Sequence, residues 1–163
     1  MATAGSIVLT ILIVASVAAC VFQLNGLEAE NEAAYMTIKD VQSLCQNLGK
    51  CGGILCCEGK TVRVKGYLDP VNIWDREKYP WLDYEKFIIT GAPDTRHDTA
   101  DSMEIYVVGN DTVPFFQKLR KISSRKLVCV EGTIEGINAY TNKGVFRLLR
   151  IKASPENIIL VGL

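Results

Sequence analysis

The residues with the most chemistry to offer fall in two short clusters. Trp74, Arg76, Lys78, Tyr79 and Trp81 lie close together in the chain, and Tyr140, Asn142 and Lys143 form a second group. Flat rings interleaved with cations can stack on a base or a sugar while the charges hold its polar edge. Trp74, Arg76, Lys78, Trp81, Tyr140 and Lys143 are therefore the candidate ligand-binding residues. The competing reading of the two tryptophans is structural: rings folded back over one end of a barrel.

Catalysis has weaker support. The single histidine, His97, stands in a polar loop with Asp94, Asp98 and Asp101. That group suggests a metal site or a general base, but an exposed polar loop explains it as simply. No Ser/His/Asp order, paired cysteine knuckle or phosphate-cradling glycine loop occurs. The chain is expected not to be an enzyme and to need no cofactor or metal.

Six cysteines are present, and Cys45, Cys51, Cys56 and Cys57 fall within a stretch of 13 residues. In an oxidising compartment such a cluster reads as disulfides. Adjacent cysteines bridge each other only with strain, so Cys45 and Cys51 are each expected to pair with one of Cys56 and Cys57. Free thiols and a metal site are the alternatives, although the spacing lacks the C-x2-C pairs of structural zinc. Cys129 falls in an apolar strand and reads as a small buried hydrophobe.

The N-terminus bears on the compartment. The first charged residue is Glu28, and an apolar run covers Ile7 to Cys20. Three readings compete for residues 1–24. Val17-Ala18-Ala19-Cys20 resembles the bacterial lipobox, which would make Cys20 the lipidated residue. Ser6 to Leu24 is long enough to cross a hydrocarbon core of about 30 Å as a retained helix. A buried core helix is the third. Two features depart from a lipoprotein signal: no Lys or Arg precedes the apolar run, and Val17 stands where Leu is commoner. The acidic flank Glu28, Glu30, Glu32 holds no basic residue, so nothing retains the C-terminal side in the cytoplasm. The remainder is expected outside it, in a bacterial periplasm or on a cell surface.

Basic and acidic residues balance at 18 each, which shows no gross appetite for nucleic acid. Between Gly59 and Ala153 the count is 16 basic to 12 acidic, a mild surplus. The expected organisation is an anchor or signal over 1–24, a tether over 25–36, a short helix and Cys-rich segment over 37–58, and a barrel over 59–163.

The elements that must position the clusters follow from periodicity. Thr37 is a good N-cap, with Asp40 in the first turn, and Val41, Leu44, Cys45 and Leu48 recur on one helix face. Gly49 stops that helix. From Thr61 to Leu68 the period is two, with Val62, Val64 and Gly66 on one face and Arg63, Lys65 and Tyr67 on the other. Asp69-Pro70 is expected to end this strand. Further strands are predicted over Phe87–Thr90, Met103–Val108, Leu127–Gly136 and Val145–Ile151. Between the third and fourth, a helix is capped by Asp111 or Thr112, has Pro114 in its first turn, and shows Val113, Phe116, Leu119 and Ile122 on its apolar face. Residues 157–163 are an apolar end able to add an edge strand.

Three strands, a helix and two strands is the order of the OB-fold, a five-stranded Greek-key barrel in a mainly β protein. Gly66, Gly132 and Gly136 suit the bends of a small closed barrel. Over residues 35–155 the chain resembles bacterial cell-envelope OB-fold lipoproteins of the tRNA-anticodon-binding-like group. The likeness lies in Gly59-Lys-Thr-Val-Arg-Val-Lys-Gly66, in the segment from Lys78-Tyr-Pro80 to Tyr84-Glu-Lys-Phe87, and in Val130-Glu-Gly-Thr-Ile-Glu-Gly-Ile137. It implies a barrel and no settled activity. The expected function is a membrane-anchored, extracytoplasmic binding module for a protein, a glycan or an oligonucleotide. The alternative is an accessory subunit of a membrane complex, held by a retained N-terminal helix.

Overall fold

Thr37 caps the first helix as expected, and it does so reciprocally. Its Oγ1 accepts the Asp40 N–H at 3.2 Å, while Asp40 Oδ2 accepts the Thr37 N–H at 2.9 Å. The Thr37 hydroxyl also donates to Asp40 Oδ2 at 2.7 Å, and this bond first, then the one from the Thr37 N–H, favours the charged carboxylate and lowers the Asp40 pKa. The computed structural model describes residues 35–162, apart from 52, 53, 97–99 and 143 and the side chains of 51 and 141. The readings for the anchor, Cys20, most of the tether, Cys51, His97, Asp98 and Lys143 therefore lie outside the described residues.

Strand β1, Met36–Thr37, pairs in parallel with Val64 and Lys65 of the long strand described below and leads into helix α1, Ile38–Leu48. Ile38, Val41 and Cys45 are buried, and Leu44 packs partly against the core. Leu48, expected on that face, is 41% exposed. It is the last helical residue, and Gly49 turns the chain away at φ 69°. We expect Thr37→Ala to cost about 1 kcal/mol, the usual worth of a side-chain N-cap. A thermal melt unchanged by the substitution would show that packing alone holds this helix.

A small hairpin, β2 Lys50–Cys51 and β3 Ile54–Leu55, leads into the cysteine-rich turn. Cys45 and Cys57, both buried, form a disulfide, and Cys56 also lies in one. Cys129 is a buried thiol.

Strand β4 runs from Thr61 to Trp74, straight through Asp69-Pro70, where the sequence suggested an end. A register shift between Leu68 and Ile73 absorbs the proline, which needs no ladder hydrogen bond within a bulge. Asp69 ties the bulge together: Oδ1 accepts the Val71 N–H at 3.2 Å and Oδ2 the Asn72 amide at 2.9 Å. Arg125 lies across the same end, donating to Thr90 Oγ1 at 3.0 Å and to the Thr95 carbonyl at 2.6 Å.

Strands β5 (Glu85–Thr90), β6 (Ser102–Val107), β7 (Leu127–Thr141) and β8 (Gly144–Ala153) complete the barrel, with helix α2, Thr112–Leu119, between β6 and β7. β4 pairs antiparallel with β5, and β5 with β6. β6 pairs in parallel with β8, β8 antiparallel with β7, and β7 antiparallel with β4, which closes the ring. That closure, with the helix after the third barrel strand, is the OB-fold. A short strand β9, Ile158–Leu160, adds to β7 at Val128–Val130, as the apolar end suggested.

Val64, Phe87, Ile105, Val130 and Ile151 are fully buried inside the barrel, each worth about 1.5–3 kcal/mol of apolar burial. α2 covers one end with Phe116 and Leu119, and Ile122 is buried just beyond it. Val113, expected on the same face, is exposed because Phe115 and Phe116 supply the packing of so short a helix. Asp111 is the N-cap residue, but its side chain makes no capping bond.

β4 pairs with β7 only up to Thr133, and β6 meets β8 only from Arg150. Residues 136–149 therefore extend past the barrel as a two-stranded ribbon, longer than the sequence suggested, with register maintained to Thr141↔Gly144. Gly132 and Gly136 do not owe their place to positive φ. A Cβ on Gly132 would come 2.5 Å from the Lys152 carbonyl, and one on Gly136 would collide with Glu58 and Arg147. Among the described residues no helix is long and apolar enough to cross a membrane.

Candidate functional site

The barrel's outer face over β5, β6 and β8 carries two rows of side chains, set by cross-strand register. One row places Trp74 of β4 opposite Lys86, Lys86 opposite Tyr106, and Tyr106 opposite Lys152. The other places Ile88 opposite Glu104, Glu104 opposite Arg150, and Arg150 opposite Glu135 of β7. Residues directly opposite each other share a face and lie within reach of one another.

The two rows form one connected network. The Lys86 ammonium pairs with Glu104 and sits 4.6 Å from the Trp74 ring centre and 5.2 Å from that of Tyr84. The Arg150 guanidinium lies 4.2 Å over the Tyr106 ring, and its Nε donates to Glu135 Oε2 at 3.0 Å. Lys152 Nζ is 3.4 Å from Glu135 Oε1. Tyr84 meets Tyr106 edge-on at 6.2 Å. Glu104 Oε1 is buried without a hydrogen-bond partner among the described residues, 3.8 Å from Arg150 Nη1. Three cations thus face two carboxylates, and the rings of Trp74 and Tyr106 are each covered by a cation.

The loop between β4 and β5 presents the aromatic cluster. Its root is Asp75, 1% exposed, whose Oδ1 accepts the Lys78 N–H at 3.0 Å and whose Oδ2 lies 3.6 Å from Arg120 Nε at the end of α2. Arg120 also pairs with Glu77, and Gln117 donates to the same carboxylate at 3.3 Å. Helix α2 therefore holds this loop in place. Tyr79 and Trp81 pack edge to face at 5.6 Å, and with Trp74 and Leu82 they line an open recess of about 260 Å³.

The residues singled out from sequence thus take different positions. Trp74 is half-buried beneath Lys86. The Arg76 guanidinium donates to the loop's own Asp83 carbonyl. The Lys78 ammonium lies 5.2 Å from the Tyr79 ring centre. Trp81 is 75% exposed and Tyr140, on the ribbon, is 78% exposed. Trp81 therefore does not fold back over the barrel end. Lys86, Glu104, Tyr106, Glu135 and Arg150 were not singled out. Their signal was the period-two alternation that puts them all on the outward side of their strands.

A separate anchor point joins the cysteine-rich turn to the ribbon. Glu58 Oε1 accepts the Leu55 N–H at 3.0 Å and Arg147 Nε at 2.9 Å, while Oε2 accepts the Gly136 N–H at 3.1 Å. Arg147 also donates to Asn138 Oδ1 at 2.8 Å. The Arg147 hydrogen bond, above all, lowers the Glu58 pKa to about 2.

Barrel, aromatic loop and laddered face together define an OB-fold domain. No family model and no curated protein matches the chain. Among solved structures it is similar to an aspartyl tRNA synthetase from Entamoeba histolytica, at 14% identity and TM-score 0.48, over 79% of this chain and 21% of that one. It is also similar to Rim1, a mitochondrial single-stranded DNA binding protein from S. cerevisiae, at 15% identity and TM-score 0.45, over 64% of this chain and 96% of that one. A third likeness is to the SSB of Plasmodium falciparum in complex with ssDNA, at 19% identity and TM-score 0.39, over 63% and 93% of the two chains. The chain spans about a fifth of the synthetase.

Proposed function

We propose that this chain is a non-catalytic binding module, held on the outer side of a membrane through residues 1–24, that grips an uncharged ring such as a pyranose by stacking against its C–H face. The observation that carries the reading is Trp81: a large ring left 75% exposed at the rim of an aromatic recess, on a loop that α2 holds still. A positioned, exposed ring of this kind costs little conformational freedom on binding. The compartment draws support from the disulfides at Cys45–Cys57 and at Cys56, because such bonds persist in oxidising surroundings.

Two measurements test the proposal. Titrating the full chain in detergent with neutral oligosaccharides, followed by tryptophan fluorescence, should show Trp81→Ala weakening binding about tenfold, within the range for one stacking contact. The variant's melting temperature should stay close to that of the parent. Equal binding by the variant removes Trp81 from the site, and a collapsed melt makes its role structural. Intact mass from membranes separates the anchors: a lipoprotein loses residues 1–19 and gains acyl mass at Cys20, whereas a retained helix keeps every residue.

The accessory-subunit reading draws on the ribbon, where Tyr140, Val145, Phe146 and Leu148 all stand exposed. Apolar surface of this kind marks contact sites. Co-purification of a stoichiometric membrane partner, lost on Phe146→Glu, would favour it.

A further inference from the structure

We infer that Glu104 and Glu135 are specificity-determining residues: by holding Lys86, Arg150 and Lys152 in fixed ion pairs, they keep single-stranded nucleic acid off this face and leave it to uncharged ligands. The inference rests on the reading of this chain as a module that binds an uncharged ring at the Trp81 recess, and it names what the laddered face, joined to that recess at Trp74, excludes.

The argument is one of counterions. A cationic groove gains most of its affinity for a polyanion by releasing the small ions that phosphates and side chains hold in solution. Lys86, Arg150 and Lys152 already have carboxylate counterions built into the neighbouring strands. Those carboxylates cannot leave, so they would also repel an incoming phosphate. Two carboxylates against three cations leave a surplus of one charge where three would otherwise act together. The rings are affected in the same way. Base stacking needs an open ring face, yet Lys86 occupies one face of Trp74 and Arg150 one face of Tyr106. Trp81, 75% exposed, remains open to a neutral ring.

The arrangement is reversible by two isosteric changes. Glu104→Gln with Glu135→Gln removes both negative charges while keeping side-chain volume and frees three cations across adjacent strands. The probe is a fluorescent oligothymidylate of about 15 nucleotides, near the upper site size of one OB barrel. It is titrated against the full chain in detergent at several salt concentrations. The parent should bind weakly, with a slope of log affinity against log salt no steeper than about −0.7, one phosphate's worth for a single strand. The double variant should bind at least about tenfold tighter at low salt, with a slope near −2 for three phosphates. Adding Lys86→Gln to the double variant should take back part of the gain.

A parent that already binds with a slope near −2 overturns the inference, and so does a folded double variant that gains nothing. If the double variant fails to melt cooperatively, Glu135→Gln alone is read, since Glu135 is the more exposed of the two acids. It should gain about threefold, and no gain counts against the inference. The oligothymidylate result is independent of the oligosaccharide titration. Loss of the Trp81 effect with a gain here sinks only the ring-binding reading, and the reverse outcome sinks only this one.

Discussion

Replacing Cys45 and Cys57 together by alanine should lower the melting temperature by about 10 °C. The disulfide spans 12 residues and joins helix α1 to the turn before β4. Closing a loop of that size removes unfolded-state freedom worth about 3 kcal/mol on the chain-entropy account. For a domain of this size each kcal/mol moves the midpoint by about 2–4 °C. Both residues are buried, and alanine leaves no unsatisfied polar atom, so the loss reads out the cross-link and the vacated sulfur volume. The effect reaches the barrel because Cys45 shares the buried face of α1 with Ile38 and Val41. Differential scanning calorimetry of parent and variant at matched pH is the check. A midpoint within 2 °C of the parent would mean that the remaining contacts hold α1 unaided.

Glu58→Gln should destabilise the domain at neutral pH, and the deficit should fade in acid. The wild-type carboxyl is held at about 2, well below its ordinary value of 4.5, chiefly by the Arg147 hydrogen bond. A depressed carboxylate pKa contributes stability that is fully present above the unfolded value. That stability is lost as pH falls from about 4.5 towards about 2. A depression of this size corresponds to roughly 3 kcal/mol when fully desolvated, and we expect about 2 kcal/mol because Arg147 meets solvent on one side. By pH 3 the gap between parent and variant should have shrunk by more than half, because the unfolded parent has by then taken up a proton at Glu58 while the folded form still holds the carboxylate charged. Urea titrations at pH 7 and pH 3 decide the matter. A gap that does not change with pH would assign Glu58 a packing role instead. The structural consequence is local: without the carboxylate, the Leu55 and Gly136 N–H groups and Arg147 lose their common acceptor, and the ribbon loses its tie to the cysteine-rich turn.

Much of the architecture was legible before any coordinates. Alternation from Thr61 to Leu68 gave the buried set Val62, Val64 and Gly66, and the structure buries the same three. The order of strands with one helix after the third was readable because period-two and period-3.6 patterns differ within a few residues. Thr37 and Asp40 marked the start of α1 through chemistry confined to four positions. The cysteine cluster announced disulfides, one of which joins Cys45 to Cys57 as one of the expected pairings. The misjudged ends were those where a distant contact overrides a local signal. Asp69-Pro70 looked like a stop, yet Asn72 and the bulge let β4 continue to Trp74. The ribbon ran on to Thr141 because each of its residues found a partner across the hairpin.

What the sequence determined by itself is the kind of barrel and which side of each strand a residue faces, since both follow from repeats a few residues long. Only the folded chain decided who meets whom: Lys86 beside Glu104, Arg150 between Tyr106 and Glu135, and Glu58 with Arg147, which stand 89 residues apart. Those meetings depend on register, and register is set by the closure of five strands and one bulge acting together. A shift of a single residue would turn every one of these side chains to the opposite face.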